Sequence, residues 1–285
     1  MHNSGLDIKE TIVMEYPLVS IVTPVLNGSK YIRDCIESVV TQEYPYIEHV
    51  IIDGGSGDGT VEILNAYSAK HPKKIRFIYS PDSKPRNGPG EALNKGLIAA
   101  KGEIIGWLGA DDTLFTQDAI RKIVQFFLSS PKAQFVHGGC NITNEKGEFI
   151  YTHKARDFTL DYLLNENNPI ACPSAFYKRK VVETVGLLDE YGNDFDYMIR
   201  ITKVFPIYWI EDVISNFRVH NESETGNLES YVKVLKKDYL VMRQHGGSII
   251  QKRARRYYMF TLLKRLGLLS LVPFVRKLKK MTKRN

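Results

Sequence analysis

Apolar and polar positions follow two alternating patterns over the first hundred residues. Short β-branched apolar runs predict buried strands, and apolar residues at helical spacing follow each of them. Strands and helices that alternate at such short spacing predict a parallel, doubly wound sheet with helices on both faces. The predicted order is strand 18–25, helix 30–42, strand 47–53, helix 60–70, strand 75–79 and helix 91–100.

The next apolar run, 103–112, predicts a buried strand that ends in Asp111 and Asp112. Ligands of such sheets bind at the carboxyl ends of the strands, and adjacent carboxylates suit a hard cation such as Mg²⁺ or Mn²⁺. Alternatively, Asp112 could cap a helix that begins near Thr116. Asp53 also ends a strand, where it could accept hydrogen bonds from a base or ribose, or begin an Asx turn.

The second half of the chain has a different, mixed pattern. We predict a helix at 116–130 and two strands, 134–138 and 148–153, around a turn at 144–147. From residue 227 onward the pattern is helical to the end. The other predicted elements are helices at 157–164, 178–185 and 194–204 and a strand at 206–219.

Composition and charge say more about where the protein works than about what it does. The chain has 285 residues and a net charge of +7, but residues 251–285 hold twelve Lys or Arg and no acid, which leaves the other 250 residues at −5 (27 basic, 32 acidic). Three scattered cysteines indicate a reducing, cytosolic setting and no zinc site. We expect no signal peptide and no membrane-spanning helix.

Four ordered segments resemble the family 2 glycosyltransferases. They are VSIVTPVLN at 19–27, QEYPYIEHVIIDGGSGDGT at 42–60, ALNKG at 92–96 and the pair at 111–112. The resemblance implies a GT-A fold: a Rossmann-like, doubly wound mixed sheet with a nucleotide-sugar half, 1–115, and an acceptor half, 116–225. It also implies transfer of a sugar from a nucleotide diphosphate donor with inversion at the anomeric carbon.

The same resemblance implies roles for particular residues. Asp112 and His220 would hold a divalent cation, Mn²⁺ or Mg²⁺, and Asp111 would lie nearer the ribose. His220 could equally be structural, as a lone histidine often is. The residues expected to bind substrate are Thr23, Pro24, Asn27, Asp53, Asn94, Lys95 and Asp111.

One departure from the family pattern leaves two alternatives open. Aligned on the ALNKG segment, the first Asp of the family's usual run becomes Arg86, and the second becomes Glu91. Either Asp82 fills the first role across a loop insertion, or Arg86 replaces it and changes donor recognition. Both Asp82 and Arg86 are therefore expected substrate-binding residues.

Inversion requires a general base in the second half of the chain. The segment around 194–200 resembles the family's Asp-Tyr-Asp-Leu-x-x-Arg pattern, in which Asp194 matches the base. Alternatively, Asp194 is only a helix cap. Asp196 is expected to pair with Arg200 at i+4, and Cys172 is not expected to act as a catalytic thiol.

The basic segment 251–285 interleaves apolar residues with clusters of Lys and Arg, which is typical of an interfacial helix on anionic lipid. The alternative is a helical extension, 226–285, that packs on the body. No nucleic-acid motif accompanies the charge. We expect a cytoplasmic enzyme, peripheral on the inner face of the cell membrane, that builds a surface polysaccharide or glycolipid.

The expected partners are a UDP-sugar, with TDP and GDP left open, and a saccharide or lipid-linked acceptor. Two rival functions remain. The first is a sugar-phosphate nucleotidyltransferase, although the Gly-rich phosphate loop that it needs after the first strand is missing. The second is a catalytically silent, membrane-associated protein that binds sugar nucleotides.

Overall fold

The structure is a computed structural model, and it describes residues 16–81, 89–166, 168–189, 193–223, 226, 228–250 and 252–266. Within these ranges the strands form one mixed sheet in the order β3-β2-β1-β4-β8-β6-β9-β5, with β7 paired to β6. The predicted residues Asp82 and Arg86 lie outside the described residues.

The first half of the chain forms the parallel part of the sheet. Strand β1 pairs with both β2 and β4, and β2 pairs with β3, all in parallel. The predicted parallel arrangement is therefore confirmed for this half. The elements are β1 (Val19–Val25), α1 (Ile32–Val40), β2 (Ile47–Asp53), α2 (Thr60–Lys70), β3 (Ile75–Tyr79), α3 (Gly90–Ala99) and β4 (Ile104–Trp107).

The prediction that this last strand runs to the acidic pair is wrong. Strand β4 ends at Trp107, although the Leu108 N–H still donates to the Val22 carbonyl at 3.0 Å. A turn follows, closed by the Asp112 N–H donating to the Gly109 carbonyl at 3.0 Å. The turn bends the chain back over Gly109, so Asp111 and Asp112 lie on a turn and not on a strand.

The second half adds antiparallel pairs to the sheet. Strand β8 lies between β4 and β6 and runs antiparallel to both, whereas β6 and β9 are parallel. The predicted strands around 144–147 are confirmed as the antiparallel pair β6 and β7. The elements are β5 (Thr113–Leu114), α4 (Ala119–Ser129), β6 (Phe135–Thr143), β7 (Phe149–His153), α5 (Leu160–Asn165), a 3₁₀ turn (Cys172–Ser174), β8 (Ala175–Lys178), α6 (Arg179–Val185), α7 (Asp194–Val204) and β9 (Tyr208–Arg218).

Two apolar clusters show that helices cover both faces of the sheet. Helices α1, α2 and α4 contribute to one cluster, and α3, α6 and α7 contribute to the other. Helix α3 approaches the sheet especially closely, because a Cβ on Gly96 would lie 2.3 Å from Val22 Cγ1 of β1 and 3.4 Å from Ile52 Cγ1 of β2. Glycine at this position lets α3 lie directly on strands β1 and β2.

Two further helices follow the sheet, α8 (Leu228–Gln244) and α9 (Lys252–Arg265). They pack on the body: Val241 and Met242 of α8 and Ala254 of α9 share a buried cluster with Phe195 and Ile199 of α7. Within the described ranges no helix is both long and apolar enough to cross a bilayer. The part of the predicted basic segment beyond residue 266 lies outside the described residues.

We predict that Gly96→Ala destabilises the protein. Alanine favours a helix interior by about 1 kcal/mol over glycine, but the new methyl group would lie 2.3 Å from Val22 Cγ1. Overpacking of this kind costs about 1–3 kcal/mol, so we expect a net loss in the free energy of unfolding, measured by urea denaturation.

Gly57→Ala is the matched control, because a Cβ at Gly57 has no neighbour within 4 Å. Its free energy of unfolding should change by less than about 0.5 kcal/mol. A Gly96→Ala variant as stable as the wild type would show that α3 does not need this close approach.

Candidate active site

Two loops at the carboxyl edge of the parallel strands form a rim held by side-chain hydrogen bonds. Asn27, which follows β1 with φ of 54°, accepts from the Gly57 N–H at 3.0 Å, and its own N–H donates to Ser56 Oγ at 2.8 Å. The Gly28 N–H donates to Thr60 Oγ1 at 2.9 Å. The glycine-rich loop after β2 is thereby fixed against the loop after β1.

Asp53 lies at this rim with one carboxylate oxygen in use and one unused. Oδ1 accepts from the N–H groups of Gly55 and Ser56 at 3.0 and 2.9 Å, which is the Asx-type turn considered from the sequence. Oδ2 is buried and finds no hydrogen-bond partner within the described part of the chain. A buried carboxylate oxygen without a donor is costly, so Asp53 can both build the turn and accept a bond from a ligand.

Two other predicted substrate-binding residues, Thr23 and Pro24 of β1, differ in how exposed they are. Pro24 is half-buried at the end of β1. Thr23 does not reach the rim, because its hydroxyl is buried and lies 2.8 Å from His49 Nε2. Burial lowers the pKa of His49 to about 3, so this is a neutral pair inside the core. The structure therefore gives the Thr23 side chain a place in the core and no access to a substrate.

The acidic pair converges on one point above Gly109. Asp111 Oδ1 and Asp112 Oδ2 each lie 2.8 Å from the position that a Cβ on Gly109 would take. Asp112 does not cap a helix, since Asp118 precedes α4 and Asp112 Oδ1 instead accepts from the Arg218 N–H at 2.9 Å. Burial, and then the charge of Asp111, raise the pKa of Asp112 well above its usual range.

These residues fit a divalent cation by the chemistry of the donor set. Two carboxylates of which one is 4% exposed repel each other, and a cation would offset both that repulsion and the cost of burial. In the described ranges no three His, Cys, Asp or Glu side chains form a ready metal cluster. Mg²⁺ commonly uses one or two carboxylates together with substrate phosphates and water, which matches the Asp111–Asp112 pair.

His220 lies beside the pair and contacts Asp111. Its Nε2 is 2.9 Å from Asp111 Oδ2, and its ring lies 4.7 Å from that of Tyr31. Arg218 also packs on Tyr31, with its guanidinium 4.8 Å from the ring centroid and 2.8 Å from Asp34 Oδ2. Tyr31 and Arg218 were missed from the sequence, since only the fold brings α1 beside the end of β9.

A third carboxylate, Asp194, lies at the same sheet edge, beside the residues that precede β8. The capping alternative is not realised: Asn193 caps α7 by accepting from the Phe195 and Asp196 N–H groups at 3.0 and 3.2 Å. Asp194 is the first residue of α7, and its Oδ2 accepts from the Cys172 thiol at 2.9 Å.

Cys172 connects this carboxylate to the acidic pair. Burial, followed by the charge and hydrogen bond of Asp194, raises the pKa of Cys172 well above its usual range, and the charge of Asp112 adds to the effect. The thiol therefore stays protonated and donates to Asp194. Cys172 lies close enough to Asp194 and to Asp112 for the charge of each to affect its pKa. The reason is that the 3₁₀ turn with Cys172 precedes β8, and β8 pairs with β4.

The remaining predicted residues have protein partners. The Asn94 amide bonds to the backbone of Leu188 through both of its polar atoms. Lys95 pairs with Glu91 at 2.9 Å. Asp196 pairs with Arg200 at 2.8 Å, as predicted, and also contacts His245, the residue directly after α8, at 2.7 Å.

Comparison with known families identifies the class. The sequence model described as Glycosyl transferase family 2 matches residues 20–186, more than half of the 285 residues. The chain therefore belongs to glycosyl transferase family 2, which confirms the resemblance read from the motifs, and it is a glycosyltransferase. The matched range ends before Asp194 and His220, so their proposed roles rest on the geometry described above.

An individual relative supports membership of this family, and solved structures support the fold. The chain is 28% identical over 232 residues to the putative teichuronic acid biosynthesis glycosyltransferase TuaG of Bacillus subtilis, covering 80% of this chain and 88% of TuaG. Among solved structures, the mannosyltransferase PcManGT from Pyrobaculum calidifontis with GDP-Man and Mn²⁺ has a TM-score of 0.63 at 17% identity, over 88% of this chain and 70% of that one.

A second solved structure, S. aureus TarS 1-349 in complex with UDP-GlcNAc, has a TM-score of 0.58 at 16% identity, over 85% of this chain and 71% of that one. At such low identity the two structures speak for the fold alone. They confirm the predicted GT-A architecture, a mixed sheet with helices on both faces.

We predict that Asp112→Asn stabilises the protein in the absence of divalent cations. The raised pKa of Asp112 lies above the unfolded-state value of about 3.9. Between those two values the folded protein holds more protons, so its free energy of unfolding falls as pH rises. Asparagine keeps an acceptor for the Arg218 N–H and carries no charge. In EDTA, the Tm advantage of the variant should grow from pH 4 to pH 8.

Asp157→Asn controls for the loss of one negative charge, since Asp157 is an exposed carboxylate before α5. Adding Mn²⁺ should raise the Tm of the wild type and not that of Asp112→Asn, because only the wild type keeps both carboxylates. Parallel Tm curves for wild type and Asp112→Asn across this pH range would contradict the prediction.

Proposed function

We propose that this glycosyltransferase moves a sugar from a nucleotide diphosphate donor to a hydroxyl acceptor with inversion. One observation carries the proposal: a converging carboxylate pair, Asp111 and Asp112 on the turn after β4, and an opposing carboxylate, Asp194 at the start of α7, lie at the same edge of the sheet, where β4 pairs with β8. The first suits a cation-bridged diphosphate, and the second suits an incoming hydroxyl.

The rim between the loops after β1 and β2 would hold the nucleoside. The unused, buried Oδ2 of Asp53 can accept a hydrogen bond from the base or the ribose, and Pro24 lies beside it. Asn27 would shape the pocket by tying the two loops together. A UDP-sugar is the proposed donor. The TarS structure contains UDP-GlcNAc and the PcManGT structure contains GDP-Man, so a GDP-sugar is the alternative to test.

Asp112, Asp111 and His220 would hold Mn²⁺ or Mg²⁺ together with the diphosphate. When bound, the cation offsets negative charge on the departing nucleoside diphosphate. The residues of the chain contribute orientation: Asp112 is fixed by the Arg218 N–H, and Asp111 by His220, which in turn packs on Tyr31.

Asp194 would act as the general base. Inversion needs one displacement, in which a carboxylate takes the proton of the acceptor hydroxyl as the oxygen attacks the anomeric carbon. The Cys172 thiol occupies one oxygen of Asp194 and fixes its direction, and the other oxygen has no hydrogen-bond partner among the described contacts. In-line placement of donor and hydroxyl supplies further rate without any covalent intermediate.

The acceptor would be a saccharide or lipid-linked saccharide of a surface polysaccharide or glycolipid, supported by the similarity to TuaG. We also propose that the protein works at the inner face of the membrane. On α9 the exposed residues Met259, Leu262 and Leu266 share one face with Lys252 and Arg255. Apolar contact combined with basic charge is the pattern of a helix that lies on anionic lipid.

We predict turnover with a nucleotide sugar and Mn²⁺. The full chain is incubated with UDP-GlcNAc, UDP-glucose, UDP-galactose or GDP-mannose, and release of UDP or GDP is followed with water or added saccharides as acceptor.

Asp194→Asn should lower kcat about 10²–10⁴-fold, the usual contribution of a general base, with nucleotide affinity unchanged. Asp53→Ala should instead weaken UDP or GDP binding about tenfold through one lost hydrogen bond.

Nucleotide binding without turnover of any donor would favour the catalytically silent binding protein. Release of pyrophosphate from a sugar phosphate and a nucleoside triphosphate would favour the nucleotidyltransferase. Wild-type kcat in Asp194→Asn would remove Asp194 from the mechanism and leave the donor site in place.

We predict that the full chain co-floats with vesicles containing anionic phospholipid, and less with neutral phosphatidylcholine vesicles. Met259→Glu with Leu262→Glu should lower the bound fraction at least tenfold, because both side chains are more than half exposed and charge on that face opposes lipid contact. High salt should also weaken binding by screening.

The matched control places the same two charges elsewhere, by Ile98→Glu and Phe149→Glu at residues 71% and 64% exposed. It should bind as the wild type does. Equal flotation with neutral vesicles, or full flotation of the α9 variant, would exclude this helix face as the lipid contact.

A further inference from the structure

Among the described residues, the loop between α6 and α7 is hydrogen-bonded to helix α3 through the side chain of Asn94. Its Nδ2 donates to the Leu188 carbonyl at 3.0 Å, and its Oδ1 accepts from the Leu188 N–H at 3.0 Å. We propose that Asn94 is a positioning residue, which holds the loop before α7 so that Asp194 faces the donor. This inference rests on the proposed role of Asp194 as the base.

The anchor of this contact is rigid. Asn94 lies in the middle of α3, and Gly96 lets that helix pack within van der Waals contact of Val22 in β1. Leu93 and Leu97 on the same helix are buried in the cluster that also contains Leu188. Asn94 therefore transmits the position of the parallel, donor-binding part of the sheet to the loop.

The other end of the loop leads directly to the base. Asp189, next to Leu188, accepts from the Asn193 N–H at 2.9 Å, and Asn193 caps α7 one residue before Asp194. Arg200 of α7 reaches back to the Leu187 carbonyl at 2.9 Å. The loop is thus held by α3 on one side and by α7 on the other, with Asn94 the contact that crosses between them.

Removing the amide leaves a costly defect at this crossing. Leu188 is 5% exposed, so its N–H and carbonyl would be buried without partners, a situation that proteins avoid by rearranging. The loop would then shift, and with it the start of α7. Displacement of a reacting group by about 1 Å can lower a rate about 100-fold.

This role differs from the donor contact that the family resemblance implies for Asn94. Both polar atoms of the amide are occupied by one backbone residue, 94 positions away in the sequence. One N–H and one lone pair of the amide remain, but the two bonds to Leu188 fix its orientation from the protein side. The two roles make opposite predictions about affinity and rate.

We predict that Asn94→Ala lowers kcat about 10- to 100-fold while the affinity for UDP or GDP with Mn²⁺, measured by calorimetry, changes less than about twofold. Asn94→Asp keeps the acceptor for the Leu188 N–H but not the donor, so its kcat should lie between those of wild type and Asn94→Ala. Hydrogen exchange should quicken at the N–H groups of Phe195 and Asp196, the first turn of α7.

Asn65→Ala is the matched control, an Asn-to-Ala change at an exposed position of α2, and it should leave kcat, affinity and exchange unchanged. Nucleotide affinity weakened tenfold in Asn94→Ala, with kcat retained at saturation, would overturn the proposal in favour of a donor contact. Loss of activity in Asp194→Asn with wild-type kcat in Asn94→Ala would also overturn it. Wild-type kcat in Asp194→Asn would instead overturn the base assignment.

Discussion

The arrangement of this protein depends on two carboxylates that repel each other at close range. Asp111 and Asp112 converge above Gly109, and Asp112 is almost fully buried. Such a pair is unfavourable by itself, because burial and like charge both oppose ionisation. The fold nevertheless fixes both side chains, through Arg218 and His220. This repulsion would favour a ligand that brings positive charge, such as the cation-bound diphosphate proposed above.

The second half of the chain brings another carboxylate, Asp194, to the same edge of the sheet as that turn. Strand β8 joins the acceptor half to β4, and the residues before it place Cys172 beside Asp194. The loop before α7 is tied to α3 through Asn94. Asp112 and Asp194 therefore come from different segments of the chain, and their relative position depends on a few contacts across the sheet. The proposed single in-line transfer would require the two groups to be held in a fixed relative position.

The sequence predicted elements better than it predicted contacts. Helix α2 and strand β3 lie where the periodicity placed them, with Ile63 and Leu64 of α2 and Ile75 of β3 buried. The strand before the acidic pair was predicted too long, since apolar residues continue into the turn. Contacts of Asp194 with Cys172, of Asn94 with Leu188 and of Asp112 with Arg218 span 22, 94 and 106 residues. Only the folded chain reveals such pairs, and no local pattern encodes them.

Phe195, the neighbour of Asp194, owes its burial to the last helices. It shares a cluster with Met242 of α8 and Ala254 of α9, and His245 bonds to Asp196 one residue further on. A truncation before α8 would expose Phe195 and the other apolar residues of this cluster. An exposed apolar patch of this kind promotes aggregation. Preparations that need better solubility are therefore best obtained by recharging the outer side of α9 and keeping its length.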